Sequence, residues 1–457
     1  MTALLYLLGV VVFAAAILAS IGLHELGHLI PAKRFGGKVT QYFIGFGPTV
    51  WSRQVGETEY GVKAIPLGGY VKIVGMLPPG AVELADELTD ELDADGRVIG
   101  QVVRVRKSNT GMFTQLVSDA RAAEWETIQP EDADRLFYKF SWWKKVIVMG
   151  GGPTVNILIA FLIFTGVFAT YGNPGDQTIE TTVREVQACV IPAEEDGRAC
   201  TEQELADSPA PAYSAGMRPG DRIVSFNGTE VTSWEQVQSL VRANGSGEAE
   251  IVVERDGAER TLHTNTTVTP RFLEADDEKP TEVGFLGVVP GSHPTTGGVV
   301  YTVEQMGHMT VEVVKSLATL PAKVWGVAKA IVGLEERDPM GPVSIVGGGR
   351  LAGETAAHDE IPVDGKVVSL FLLIAGFNFF IGMFNFVPLL PLDGGHIAGA
   401  FWEALRRGWA RLRRRPDPGY VDVAKLLPIA YVVGMAVLVM GVVLIVGDLV
   451  VPVHLES

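Results

Sequence analysis

Four long apolar stretches, separated by polar chain, set the architecture. They run over roughly Leu4–Ile30, Val146–Thr170, Val367–Leu390 and Leu426–Val451. About 20 apolar residues suffice to cross a bilayer as a helix, so each is long enough to span one. Leu4–Leu23 holds no charged residue. A cleaved signal peptide competes for this first stretch, but it calls for a positive leading region and a shorter apolar core. The first Lys or Arg here is Lys33, so an uncleaved membrane helix is expected.

The polar segments differ in pattern. Residues 31–80 alternate in short Gly- and aromatic-rich runs, Tyr42–Pro48, Tyr60–Lys63 and Pro66–Lys72, which predict β-hairpins associated with the membrane. Residues 81–145 predict a partly helical insertion that is acidic at first and ends in aromatics and bases at Phe137–Lys145. Residues 300–365 are expected to be an amphipathic helical region, opening with a helix over 300–334 that carries Val311, Val314, Leu317, Leu320, Val324 and Val327. That helix either packs on the domain before it or lies on the membrane surface. The expected division is 1–30, 31–80, 81–145, 146–171, 172–299, 300–365, 366–396, 397–425 and 426–451, with 397–425 a basic loop.

Charge orients these spans. Lys33, Arg34 and Lys38 follow the first; Lys139, Lys144 and Lys145 precede the second. Arg406, Arg407, Arg411 and Arg413–Arg415 lie between the third and fourth. By the positive-inside rule both termini and 172–365 are outside and the basic loops cytoplasmic. A net charge of −16 over 457 residues argues against nucleic-acid binding. The two cysteines, Cys189 and Cys200, exclude a Cys-based zinc cluster. In an oxidising compartment they either bridge a short loop as a disulfide or stand as buried thiols.

The candidate chemistry closes the first apolar stretch: Ile21–Ile30 reads I-G-L-H-E-L-G-H-L-I. His24 and His28, four apart on one helix face, can reach one metal ion, and Glu25 can take a proton from water there. A catalytic zinc usually needs a third protein ligand. Asp393 offers one where the third stretch breaks at Pro388 and Pro391 and enters Gly394-Gly395; His396 is the alternative. Asn156, in Gly150–Asn156 at the start of the second stretch, either holds a water or loop near the metal or joins two helices.

Two resemblances rest on these motifs. Ala215–Gly228 (A-G-M-R-P-G-D-R-I-V-S-F-N-G) resembles the signature of a PDZ domain. A helix over Val231–Arg242, strands over Ala249–Arg255 and Glu259–Thr266, and a groove strand near Phe285–Val288 would complete it. H-E-L-G-H in a first span, G-P-x-x-N opening a second and N-x-x-P-x-x-P-x-D-G-G closing a third resemble the site-two protease family of intramembrane zinc metalloproteases. The single PDZ domain makes the chain similar to the regulator-of-sigma-E protease group of high-GC bacteria.

The resemblance implies a polytopic α-helical membrane protein with four transmembrane helices, a membrane-associated β-hairpin element and an extracytoplasmic PDZ (α+β) domain. It implies one Zn2+ per chain held by His24, His28 and Asp393, with Glu25 as general base. Asn385, Pro388, Pro391, Gly45, Phe46, Gly47 and Asn156 are the expected substrate-positioning residues. The expected location is the bacterial cytoplasmic membrane. Expected substrates are transmembrane segments of single-span proteins, anti-sigma factors and signal-peptide remnants, cut after a first ectodomain cleavage. The PDZ groove either binds a peptide C-terminus or acts as a steric cap. A membrane scaffold with an inert metal site and a metal transporter are the rival classes, and neither gives Glu25 a role.

Overall fold

The computed structural model describes residues 2–78, 88–92, 98–103, 112–125, 128–191, 198–273 and 279–454. The expectation of a partly helical acidic insertion falls largely outside these residues. The chain divides into two compact units, residues 1–167 with 298–457, and residues 168–297.

In the first unit, α1 (Thr2–Arg34) is followed by β1 (Val39–Val55) and β2 (Thr58–Ile73), then β3 (Leu88–Leu92), β4 (Val98–Val103), α2 (Met112–Trp125) and α3 (Trp142–Thr170). Among the described residues, four helical segments are long and apolar enough to cross a membrane: Thr2–Arg34, Trp142–Thr170, Val363–Asn385 and Val423–Val450. At 33 residues, α1 is about 50 Å long, more than a bilayer's hydrocarbon core. It ends in Lys33 and Arg34, beyond which Gly36 takes a left-handed backbone (φ +85°).

The β1–β2 hairpin folds back on itself. Residues 41–44 pair with both 69–72 and 59–62, while 49–55 pair with 58–63. Gly45 (φ +91°), Gly47 (φ +83°) and Gly68 (φ +109°), in conformations that disfavour a side chain, make the bends. The result is a four-segment ribbon with Gly68–Ile73 at one edge; among the described residues no further strand pairs with that edge. Tyr42 Oη donates to the Gly22 carbonyl at 2.8 Å and fixes the ribbon against α1. A core of Leu29, Val39, Ile73, Phe137, Phe140 and Val148 joins α1, the ribbon and α3.

The second unit holds β5 (Asn173–Val186), α4 (Glu202–Asp207), α5 (Pro211–Ser214), β6 (Arg222–Phe226), β7 (Thr229–Glu230) and α6 (Trp234–Asn244). It continues through β8 (Glu248–Arg255), β9 (Ala258–Asn265), β10 (Thr267–Arg271), β11 (Thr281–Phe285) and β12 (Val288–Thr295). The antiparallel sheet runs β12-β5-β6-β8-β9, with β7 beside β6. Ser233 caps α6, accepting from Gln236 N–H. The helix lays Trp234, Val237 and Val241 on Ile223, Phe226, Ile251 and Val253; full burial of such a side chain contributes about 1.5–3 kcal/mol. Cys189 and Cys200 form a disulfide.

The rest of the first unit is α7 (Val299–Ile331), α8 (Ile345–Ala357), α9 (Val363–Asn385), α10 (Asp393–Leu412) and α11 (Leu427–Val450). Helix α8 lies within the expected helical region 300–365; its buried glycines let it lie against α1, and a Cβ on Gly348 would meet Phe13 Cζ at 2.9 Å. Two boundaries differ from the sequence reading. The third span stops at Asn385 rather than running on through the L-D-G-G motif, since a helix gives way ahead of a proline and Pro388 follows. The expected basic loop 397–425 is helical through Leu412: Ala400, Glu403 and Ala410 recur at helical spacing and are buried.

Candidate metal centre

His24 and His28 sit one turn apart on α1 with their Nε2 atoms 3.2 Å from each other. Asp393 Oδ2 lies 3.4 Å from each of them. Asp393 is the first residue of α10, and the Gly394-Gly395 pair brings it there. A Cβ on Gly394 would collide with the Phe386 and Val387 carbonyls, so only glycine lets this turn close so tightly. A tetrahedral zinc with bonds of about 2.0–2.2 Å separates its ligand atoms by about 3.3–3.6 Å. Two imidazoles and a carboxylate on a triangle of 3.2, 3.4 and 3.4 Å fit that ion.

The rings are held from behind. His24 Nδ1 donates to Asn156 Oδ1 at 3.0 Å, and His28 Nδ1 to the Val148 carbonyl at 2.8 Å. With the ring hydrogen on Nδ1, each Nε2 keeps its lone pair toward the metal position. Both acceptors belong to α3, where Pro153 has no N–H to offer the Met149 carbonyl and interrupts the helix ladder. Gly27 and Gly151 let α1 and α3 touch backbone to backbone. A Cβ on Gly152 would lie 2.7 Å from His24 Nε2 and closer still to His28 Nε2.

The triangle opens into a cavity of about 460 Å³ lined also by Glu25, Gly68–Val71, Met149, Ile381, Asn385, Pro391 and His396. Gly69 packs on Glu25, where a Cβ would come within 2.9 Å of Glu25 Cγ. About two turns before Gly152 on α3, Lys145 Nζ donates to buried Glu403 Oε2 at 2.7 Å, tying α3 to the helix that carries Asp393.

Asn156 lines the same cavity, and its side-chain oxygen is engaged by His24. Gly45, Phe46 and Gly47 are absent from the cavity wall, which Gly68–Val71 of β2 supplies; Phe46 stacks on Tyr70 with ring centroids 6.4 Å apart. Asn385 and Pro391 line the cavity, while Pro388 is exposed beside it. His396 lines it too but lies outside the three-residue cluster. Gly152, Gly69 and the Val148 carbonyl were not singled out from sequence; only the glycine run ahead of Asn156 hinted at the first.

A family model described as Peptidase family M50 matches residues 12–417. The chain belongs to that family. It is 35% identical to "Zinc metalloprotease Rip1" of Mycobacterium tuberculosis, over 99% of this chain and 100% of that one. It is 26% identical to "Regulator of sigma-W protease RasP" of Bacillus subtilis, over 90% and 93%. "Metalloprotease MmpA" of Caulobacter vibrioides is 28% identical over 84% and 83%. This M50 chain is thus a zinc metalloprotease of the site-two type, and its spanning helices make it a membrane protein.

Proposed function

We propose that this protease cuts peptide bonds inside the membrane-spanning segments of single-span proteins after a first cut has shortened their outer domains. The observation that carries this is the position of His24, Glu25 and His28 on a helix long and apolar enough to cross a membrane, with Asp393 completing the triangle from α10. His24, His28 and Asp393 are the proposed zinc ligands. Zinc bound there supplies Lewis acidity toward a peptide carbonyl and toward water. Glu25, on the cavity wall, takes the proton of the attacking water and passes it to the leaving amine.

A substrate helix hides its carbonyls in internal hydrogen bonds and must unwind before cleavage. The open edge of Gly68–Ile73 suits an extended segment, which would add to the ribbon as one more strand. Asn385 and Pro391 face the same space and would orient the segment. Pro388 supports their turn, and Gly45–Gly47 bend the ribbon behind it.

The second unit reads as a PDZ domain. A groove of about 410 Å³ between α6 and β12, lined by Val237, Val241, Leu286 and Val288, suits either a peptide C-terminus or a steric filter. The Lys and Arg bias supports a location of this unit and both termini outside the cytoplasmic membrane, and the disulfide accords with an oxidising side. The name of the Bacillus relative, a regulator of sigma-W, supports anti-sigma factors as substrates, with signal-peptide remnants as a second class.

The test is co-expression of the native chain or its Glu25→Gln variant with tagged single-span proteins, each with its outer domain intact or trimmed. Products from the trimmed proteins that disappear with Glu25→Gln support the reading. Products unchanged by Glu25→Gln overturn it.

A further inference from the structure

Helix α10 has two faces. Ala400, Glu403, Arg407 and Ala410 turn inward, with Glu403 held by Lys145 and Arg407. Phe401, Trp402, Leu405, Trp409 and Leu412 form an uncovered stripe on another side; Trp409 is 53% exposed and Leu412 77%. An aromatic and leucine stripe of this kind is unfavourable in water and suits the boundary between headgroups and acyl chains.

The neighbours of the stripe mark that boundary. Phe401 meets the ring of Trp142, at the start of α3, with centroids 6.0 Å apart. Trp142 and Trp143 are themselves partly exposed, as tryptophans are at the end of a membrane span. The helix then ends among cations. Arg407 is engaged by Glu403 and Asp417, and Arg406 by the Pro418 carbonyl. Arg411, Arg413, Arg414 and Arg415 are exposed and form no ion pair among the described residues; the Arg413 guanidinium lies 4.4 Å from the centre of the Trp409 ring.

We propose that α10 is a membrane-surface helix that recognises anionic phospholipid: its apolar stripe enters the leaflet and its terminal arginines engage the headgroups. The first residue of the same helix is Asp393, so the charge of the leaflet helps to hold the third ligand in its triangle. The proposal rests on the reading of the four apolar helices as membrane spans, and it does not depend on which substrate is cut.

The experiment uses the full chain in nanodiscs of phosphatidylcholine alone or mixed with phosphatidylglycerol. A nitroxide is attached at Leu405→Cys, with Pro416→Cys as a water-exposed control. Collision with oxygen and with a nickel chelate gives the depth of the label, and zinc content is followed against a chelator. The expected result is a label deeper in phosphatidylglycerol discs, with slower zinc loss there. Changing Arg411, Arg413, Arg414 and Arg415 together to Gln should remove both differences, since each arginine contributes about fivefold to partition onto an anionic surface. A label in water, a depth independent of lipid charge, or a difference that survives the four substitutions overturns the recognition. Equal zinc loss in the two bilayers overturns the coupling to Asp393. Neither readout requires cleavage, so failure here is distinct from failure of the protease reading.

Discussion

Asn156 Oδ1 lies 3.0 Å from His24 Nδ1, on the side of the ring away from the Nε2 that faces Asp393 at 3.4 Å. The contact fixes both the tautomer and the tilt of His24 through a residue that is itself 1% exposed. Asn156→Leu, similar in volume, removes the acceptor while leaving the helix apolar. Zinc affinity should fall by about 10–100-fold, the usual cost of losing such a partner. Competition with a graded chelator series measures it, and unchanged affinity would show that packing alone orients the ring.

The glycines of α3 separate sharply in what they tolerate. A Cβ on Gly152 would stand among the ligand nitrogens, whereas one on Gly150 meets nothing nearer than Ile397 Cδ1 at 3.8 Å. Gly152→Ala should therefore yield folded protein with little or no zinc, and Gly150→Ala should keep full stoichiometry. Metal analysis of the two purified variants decides this. Equal zinc content in both would mean that α3 can retreat from α1 at little cost.

The open edge of the ribbon makes a kinetic prediction. Val71 pairs inward with Tyr42 and lines the cavity, so Val71→Pro deletes an N–H and disturbs the edge without touching the triangle. Cleavage of a trimmed substrate should drop about tenfold or more, the loss expected for one or two hydrogen bonds, while zinc content holds. Gly47→Ala, in the bend away from the cavity, should act mainly through stability because its φ is +83°. A cleavage assay paired with metal analysis separates these effects.

The sequence was most informative where chemistry demands a fixed spacing. His24, Glu25 and His28 are legible because two imidazoles one helical turn apart with a carboxylate between them have few other uses. Asp393 is legible because an acid at the end of an apolar run is costly. The side of each imidazole that meets Asn156 or Val148 depends on how α1 crosses α3, and no periodicity records a crossing. Gly45 and Gly47 were read as a grip on substrate, but a glycine at positive φ marks a bend, and the bends put a different segment on the cavity wall. Within the helical region 300–365, Gly347–Gly349 lower the propensity of α8, yet the same missing side chains admit Phe13 and stabilise the packed helix.

In the second unit the buried Asp221 offers a pH test. Arg255 Nε and Nη2 donate to its two carboxylate oxygens at 2.6 and 2.7 Å, and Arg218 N–H donates at 2.9 Å. Burial pushes this carboxyl up, but the arginine and the backbone N–H outweigh burial and hold it below the usual range. A carboxyl depressed in the folded state stabilises fully above its unfolded pKa of about 3.9 and loses that contribution as pH falls through the lower folded value. Asp221→Ala removes both bonds from Arg255 and leaves the Arg218 N–H unpaired, which should cost about 1.5–3 kcal/mol at neutral pH. Hydrogen exchange of β6 and β8 in the full chain should show the native sheet opening only in acid well below pH 4. In the variant the opening should already be present at neutral pH and change little on acidification. A native sheet whose protection fades near pH 6 would assign the acid sensitivity to some other group.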